Sequence, residues 1–487
     1  MAEFFLTLVV FIFVIGILVF VHELGHYLAA RFVGIRVEEF AIGMGPKVYG
    51  FNRNGTEYNI RILPIGGYVK MFGEGDYDVI ASDSYGGKTP LQRLLVLVAG
   101  VFMNLILAVF LLYIQGVHLG FQYRVVDSYF SEKYNPWFGE KKDNLLVIQD
   151  IKPYSPLYGK IDKFYILSQI NGEDYSLSDL SDKILRYSGQ EIQFTFIGYM
   201  ANDSKNVTVN LPEIPTEVIG EKNRPFVVIN GFTEDSILKD KADVGDIIKS
   251  INGESYDINN FIQTISSLKG QNIKLSLING IDYSEKEIEI SLPDKEKPLG
   301  IVFTNTQSSL FLLGINASPI SFVEFRGWSV LFAGIAQTLN NIQFFGFAMR
   351  ELLRMSFDSG SALPIADNVT GALGLFDILS RVIKDFGFWG VIDLMILFSI
   401  NLAVINMLPI PALDGGHVLF TLIELISRKR LNTKIYNYLT IAGFAFLVFL
   451  MISITYMDII RFTSIRKIFC NESVQIPFIC DLSSYNE

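Results

Sequence analysis

His22-Glu23-Leu24-Gly25-His26 is the group of residues in this 487-residue chain best suited to chemistry. On a helix, His22 and His26 stand one turn apart on one face, where both imidazoles reach a single zinc ion. Glu23, one position round, reaches a water on that metal and is the candidate general base. The motif closes an apolar run, Phe4 to Phe32, whose first part to Val21 has no charge and is long enough to enter a bilayer. The plain alternative is a pair of histidines satisfied in an apolar core. Against it, a carboxylate at the centre of a membrane helix costs about 2.5 to 3.5 kcal/mol, so Glu23 must face protein, water or metal. The chain also has only four histidines, and two of them are spent here.

A catalytic zinc takes three protein ligands and keeps one position for water. The only cysteines are Cys470 and Cys480 in the C-terminal tail, so the third ligand must be a carboxylate or another histidine. Asp414 is the best candidate, in the sequence Pro409-Ile-Pro-Ala-Leu-Asp414-Gly-Gly-His417, and His417 is the rival. Two prolines stop the preceding apolar span, and the paired glycines permit tight backbone turns. Irregular backbone at membrane depth is tolerated only where protein or a water-filled cavity covers it. Asn406, beside the break, either hydrogen-bonds substrate backbone or the oxyanion, or satisfies freed helix carbonyls. The two cysteines either pair or remain free thiols.

The composition frames these residues. Half the chain is hydrophobic, only 18% is charged, and 40 residues are phenylalanine, which describes a membrane protein with additional domains. The net charge of −10 argues against nucleic acid as a partner. Glu3, with no Lys or Arg before the apolar run, does not make a signal peptide, so the N-terminus is expected to be retained.

Four spans are expected: the HExxH helix, Leu94 to Ile114, Phe386 to Leu408 and Ile435 to Met457. Eight basic residues between Arg31 and Arg93 place that segment in the cytoplasm. Arg428, Lys429, Arg430 and Lys434 form a second cytoplasmic loop, while Arg461, Arg466 and Lys467 run against this orientation. Asn104, within the second span, faces the first helix or the site, in a packing or a catalytic role. Gly55 to Met71 reads as two β-prone runs broken at Pro64 and Gly66-Gly67, a cytoplasmic hairpin or loop. An unpaired edge there, at Gly66, Gly67 and Tyr68, would offer backbone groups to an extended peptide substrate. A plain hairpin is the alternative.

Residues 122–306 change to a β-rich, polar composition and contain a repeat: Ser168-Gln-Ile-Asn-Gly-Glu173 returns as Lys249-Ser-Ile-Asn-Gly-Glu254, 81 residues on. Val244-Gly-Asp-Ile-Ile-Lys-Ser-Ile-Asn-Gly253 resembles the central strand and hairpin of a PDZ domain. The first copy departs from that pattern with Phe164-Tyr165 in place of Gly245-Asp246. Within Ser321 to Phe357, Gly327 to Met349 has no charge and by length alone would span the membrane, but Gln337, Asn340, Asn341 and Gln343 interrupt its apolar centre, so it is expected to be a helix lying in the interface. Asn368 to Gly371 follows as a turn-like loop.

These segments give a polytopic α-helical membrane protein with about four transmembrane helices, a membrane-associated β-hairpin and two inserted PDZ-like α/β domains. The expected divisions are an N-terminal membrane half at 1–121, PDZ-like domains at 122–213 and 224–306, an interfacial helix and loop at 321–385, a C-terminal membrane half at 386–457 and a tail at 458–487.

Together, the HExxH span, Gly100 to Asn104, the PDZ repeats and Asn406-Met-Leu-Pro-Ile-Pro-Ala-Leu-Asp414-Gly-Gly resemble the site-2 protease family of intramembrane zinc metalloproteases, most closely its bacterial regulator-of-sigma-E branch. The resemblance implies His22, His26 and Asp414 as zinc ligands, Glu23 as catalytic base and Asn406 as a substrate-binding residue. It implies a bacterial cytoplasmic-membrane enzyme with extracytoplasmic PDZ-like domains and with Gly55 to Met71 as a membrane re-entrant β-hairpin. Its substrates would be membrane-spanning proteins pre-trimmed by an upstream site-1 type protease, such as anti-sigma factors, and remnant signal peptides. Two other readings use the same features: a PDZ-bearing scaffold with structural histidines, and a metal-binding membrane protein without proteolysis. The complete set His22, Glu23, His26 and Asp414 favours the protease, because a scaffold needs no glutamate beside a histidine pair.

Overall fold

The computed structural model describes residues 2–75, 79–125, 136, 138–153, 155–176, 180–198, 203–211, 226–233, 236–256, 260–279, 284–295, 298–306, 314–359, 371–429 and 433–462. Cys470, Cys480, Asn368, Arg430, Arg466 and Lys467 lie outside these residues. The chain divides into two compact units, one of residues 1–123, 136–140 and 325–487 and the other of residues 124–135 and 141–324.

The first unit is helical. Helix α1 (Ala2–Phe32) carries the HExxH motif, and helix α2 (Pro90–Leu119) packs along it. Local sequence sets both ends of α2. Thr89 and Gln92 close a reciprocal capping box, Pro90 occupies the first turn, and Gly120 ends the helix in the left-handed region at φ 66°. Among the described residues, four helical stretches are long and apolar enough to cross a membrane: Glu3–Phe32, Pro90–Leu119, Leu373–Asn406 and Lys434–Ile459. The third begins earlier than its apolar sequence suggests, because a charged helical segment joins it across Gly387, whose φ of 57° and ψ of −141° make a kink.

Between α1 and α2 the chain forms β1 (Val37–Arg53) and β2 (Thr56–Met71). The sequence placed a hairpin within Gly55 to Met71, and the structure corrects this. The tight turn is Asn54-Gly55, both at positive φ (53° and 81°), so residues 55–71 pair upstream rather than with themselves. Phe40 pairs with both Val69 and Tyr58, so residues 37–42 lie between residues 67–71 and 57–60, and residues 47–53 pair beyond those. The break at Pro64 and Gly66-Gly67 is where β2 changes its neighbour. Ala30, Ile35, Val37, Phe40, Val69, Met71, Tyr85 and Val96 form the core that holds the hairpin to both helices.

The segment Ser321 to Phe357 opens on the end of strand β13 (Ile315–Glu324), and the stretch expected to be helical from Gly327 to Met349 lies in the elements after it. A 3-10 turn (Gly327–Phe332) and a helix (Ala333–Ser359) follow. That helix meets α2 where a Cβ at Gly334 would stand 2.7 Å from the Tyr113 ring, and its Gln337, Thr338 and Asn340 are buried. The break after Leu408 also differs from expectation. Asp414–Ser427 is a helix, and the glycines after Asp414 lie in its first turn. They permit close packing rather than a turn: a Cβ at Gly415 would stand 2.3 Å from the Leu408 carbonyl oxygen. The positive φ falls on Ala412 (83°) instead.

The second unit carries the duplication. Tyr175 donates its hydroxyl to the Leu167 carbonyl (2.8 Å) and accepts from the Leu146 amide (3.1 Å). At the same offset of 81 residues, Tyr256 donates to Ile248 (2.5 Å) and accepts from Val227 (3.1 Å). Asn171 and Asn252 accept from Gln193 and Lys274, each at 2.8 Å, and both open left-handed Asn-Gly turns. In the strand numbering of the whole chain, the second copy is a sheet of order β11-β10-β9-β8-β12: β8 Phe226–Phe232, β9 Ile247–Ile251, β10 Asn272–Ile278, β11 Glu285–Ser291 and β12 Ile301–Thr306. In the first copy, β13 takes the place of β12, pairing beside β4 (Glu140–Ile151), so the last strand of the first sheet is contributed after the whole second copy. Phe164 occupies the position of Gly245 with the same amide-to-carbonyl bond and the same positive φ (65° against 104°).

Candidate active site

Helix α1 brings His22 and His26 together at the surface of α2, and α2 is shaped to receive them. A Cβ at Gly100 would stand 2.5 Å from His26 Nε2 and 2.9 Å from His22 Cε1, and one at Gly25 would stand 2.3 Å from the Ala99 carbonyl oxygen. Only glycines at these two points let the helices approach closely enough to bury both imidazoles, which are 7% and 8% exposed.

The hydrogen bonds fix which nitrogens face the site. His26 Nδ1 is 2.9 Å from the Val96 carbonyl oxygen, which can only accept, so Nδ1 carries the proton and Nε2 is left with its lone pair. His22 Nδ1 is 3.2 Å from the side-chain amide of Asn104, whose Oδ1 is buried with no other partner. Turning that amide so that Oδ1 accepts the His22 Nδ1 proton satisfies Oδ1 and presents the second Nε2 lone pair alongside the first.

Asp414 meets this pair from the start of its own helix. Its Oδ2 is 3.0 Å from His22 Nε2 and 3.4 Å from His26 Nε2, and the two Nε2 atoms are 3.2 Å apart. Three acceptors converging in this way need a cation between them. Four ligands about 2.0–2.1 Å from zinc in a tetrahedron stand about 3.3 Å from one another, so the triangle fits a zinc ion. Among the described residues, His22, His26 and Asp414 are the group whose ligand atoms could share one metal. His417, the rival, is not in that group: its Nδ1 is hydrogen-bonded to the Tyr436 hydroxyl.

Glu23 faces the strand at the end of β2. A Cβ at Gly67 would stand 3.3 Å from Glu23 Cγ and 3.1 Å from a Val19 methyl, so a side chain there would push the strand off the helix. Tyr68 and Val69 join Glu23, both histidines and Asp414 around a cavity of about 390 Å³. Tyr68 is held from behind by Arg61, which also pairs with Glu39. Burial pushes the Glu39 carboxyl up, but hydrogen bonds from Asn59, Arg61 and Tyr68 outweigh it and hold the group below its usual range. A Cβ at Gly66 would stand 2.8 Å from the Met44 side chain, and Gly66 is not among the residues lining that cavity. Asn406 Nδ2 is 3.5 Å from His22 Nε2, at the rim of the ligand triangle.

Sequence reasoning did not find the Val96 carbonyl, because a backbone acceptor has no residue type to read. It also missed Arg93 and Glu424, a buried ion pair at 2.7 Å that joins α2 to the helix of Asp414. A lone Arg at the foot of one apolar span and a Glu inside another apolar helix were the available signal.

The sequence profile of peptidase family M50 matches residues 10–450. The regulator of sigma-W protease RasP of Bacillus subtilis is 28% identical over 479 residues, covering 93% of this chain and 98% of the relative. The zinc metalloprotease RasP of Bacillus licheniformis is 25% identical over 476 residues, covering 93% and 99%. Among solved structures, the PDZ domain of an SdrC-like protein from Listeria monocytogenes is 25% identical, covering 18% of this chain and 90% of that domain. Its TM-score of 0.15 is too slight to bear on the architecture.

Proposed function

Because the chain belongs to peptidase family M50, we propose that it is an intramembrane zinc metalloprotease that hydrolyses peptide bonds within the membrane-spanning segments of single-span proteins. One observation carries this reading: the HExxH histidines and a carboxylate 392 residues away converge on one point, with Glu23 beside them and a strand facing the same cavity.

His22, His26 and Asp414 would hold the zinc. A zinc ion there supplies Lewis acidity, lowering the pKa of a water molecule and polarising a peptide carbonyl. Glu23 takes the proton from that water and delivers it to the leaving amine, so that one group serves as base and then as acid. The Val96 carbonyl and Asn104 hold the two imidazoles in the tautomers that ligation requires. Asn406, at the rim of the triangle, donates to the substrate backbone.

A helical substrate has its carbonyls occupied by i to i+4 bonds, so it must unwind before water can attack. Residues 67–71 provide the support for this. They pair with residues 37–42 on one side and, among the described residues, with no strand on the other, while Tyr68, Val69 and Met71 line the cavity. An unwound segment adds there as a further strand. The four apolar helices support a multi-pass protein of the bacterial cytoplasmic membrane. The Lys and Arg content of 31–93 supports a cytoplasmic hairpin, with the duplicated PDZ-like units outside. The family resemblance supports substrates of the anti-sigma-factor type, or signal-peptide remnants, trimmed beforehand by a site-1 type protease, and the relative named as a regulator of sigma-W protease is consistent with the first of these. The PDZ-like units would screen out substrates that keep bulky extracytoplasmic parts.

The test is Glu23→Gln in the purified full chain, with zinc content and cleavage of a labelled transmembrane substrate both measured. Zinc is retained and cleavage is lost. Cleavage at the wild-type rate would end the proposal.

A further inference from the structure

Resting on the protease reading above, we propose that His417 is a further catalytic residue, donating a hydrogen bond from its Nε2–H to the carbonyl oxygen of the bond being cut. Asp414 and His417 are three residues apart on one helix and therefore share a face, with Cβ atoms about 5–6 Å apart. His417 lines the same cavity as His22, Glu23, His26 and Asp414. Its ring is fixed there. Nδ1 is hydrogen-bonded to the Tyr436 hydroxyl on the last helix, and the ring packs against those of Tyr436 and Phe420, with centroids at 5.3 and 6.4 Å.

That anchorage decides the tautomer. A phenol is a far better proton donor than a neutral imidazole N–H, so Tyr436 O–H donates and Nδ1 accepts. The imidazole proton then sits on Nε2, the polar atom of the ring that Tyr436 does not engage. A residue on the ligand helix that presents an N–H to the reacting space suits a carbonyl oxygen that gains negative charge as water adds to its carbon. Electrons balance without a further reactant: the oxygen gains charge as the C–O bond forms and loses it when the C–N bond breaks, and His417 keeps its proton throughout. Glu23 carries the transferred proton. Tyr436 acts through His417 and is a positioning residue.

The experiment compares His417→Ala, His417→Gln and Tyr436→Phe with wild type in the purified full chain, using zinc content, thermal stability and steady-state cleavage of the labelled transmembrane substrate. His417→Ala is expected to lower kcat by about 10²–10³-fold, with KM within about twofold and zinc stoichiometry unchanged. His417→Gln restores an N–H donor and recovers part of kcat, and Tyr436→Phe loses about tenfold in kcat with zinc and KM retained. Loss of zinc from either His417 variant would overturn the proposal by making His417 a ligand, and wild-type kcat in His417→Ala would overturn it by making the ring structural. A Gln variant that holds zinc but is no faster than Ala would also overturn it. Failure in any of these ways leaves the Glu23→Gln result untouched, so it is distinguishable from failure of the protease reading itself.

Discussion

Gly100 shows how little room the candidate centre leaves. With a Cβ at that position 2.5 Å from His26 Nε2, Gly100→Ala must displace the histidine pair or part α1 from α2. The variant is expected to bind zinc at least tenfold more weakly, measured by chelator competition on purified protein, while Gly16→Ala, where a Cβ meets nothing within 4 Å, stays at wild type. Asn104→Ala removes the group that orients His22 and should cost about 10–100-fold in zinc affinity by the same measurement. The histidine pair, Glu23, Asp414 and the polar interruption at Asn104 were legible in the sequence because each is a polar residue out of place in an apolar run. The roles of Gly25 and Gly100 were not, since a glycine in a membrane helix is ordinary until its neighbour is known.

At the scale of elements, α2 is the organising piece. It gives His26 the Val96 carbonyl, His22 the Asn104 side chain, the pair the gap at Gly100, and the helix of Asp414 the Arg93 guanidinium. Arg93 and Glu424 are both buried, so removing one charge leaves the other without its ionic partner in a poor solvent. Glu424→Leu is expected to destabilise the protein by about 3–5 kcal/mol, seen as a lower unfolding midpoint in detergent. Pairs 331 residues apart leave no trace in sequence periodicity, whereas the ends of α2 could be read locally from Thr89-Pro90 and Gly120. The hairpin was half legible. Its β-prone runs and the break at Pro64 stood out, but the turn is made by Asn54-Gly55, a dipeptide that precedes both runs.

Across the whole molecule, the duplicated unit has an acid sensitivity of its own. Hydrogen bonds from Lys163 (2.9 Å) and Lys152 (3.1 Å) hold the Asp150 carboxyl below its usual range, against the opposing effect of its partial burial. A folded pKa below the unfolded value of about 3.9 adds stability that is complete above that value and is lost as pH falls through the folded one. The unfolding midpoint of the full chain should therefore drop more steeply as pH falls below about 4 in wild type than in Asp150→Asn, by roughly the contribution of one exposed ion pair. The duplication itself was visible in the sequence because Asn-Gly turns demand a residue type. That the last strand of the first sheet arrives after the second copy was not, because strand order is a property of pairing and not of spacing.

The central claim is that one ion joins the two ends of the chain through His22, His26 and Asp414, and zinc binding to Asp414→Ala tests it most directly. Purified wild type should hold one zinc per chain, and Asp414→Ala should bind it at least 100-fold more weakly, while Asp377→Ala, a change elsewhere on a helix surface, behaves as wild type. An Asp414→Ala protein that is folded and binds zinc as tightly as wild type would contradict the account.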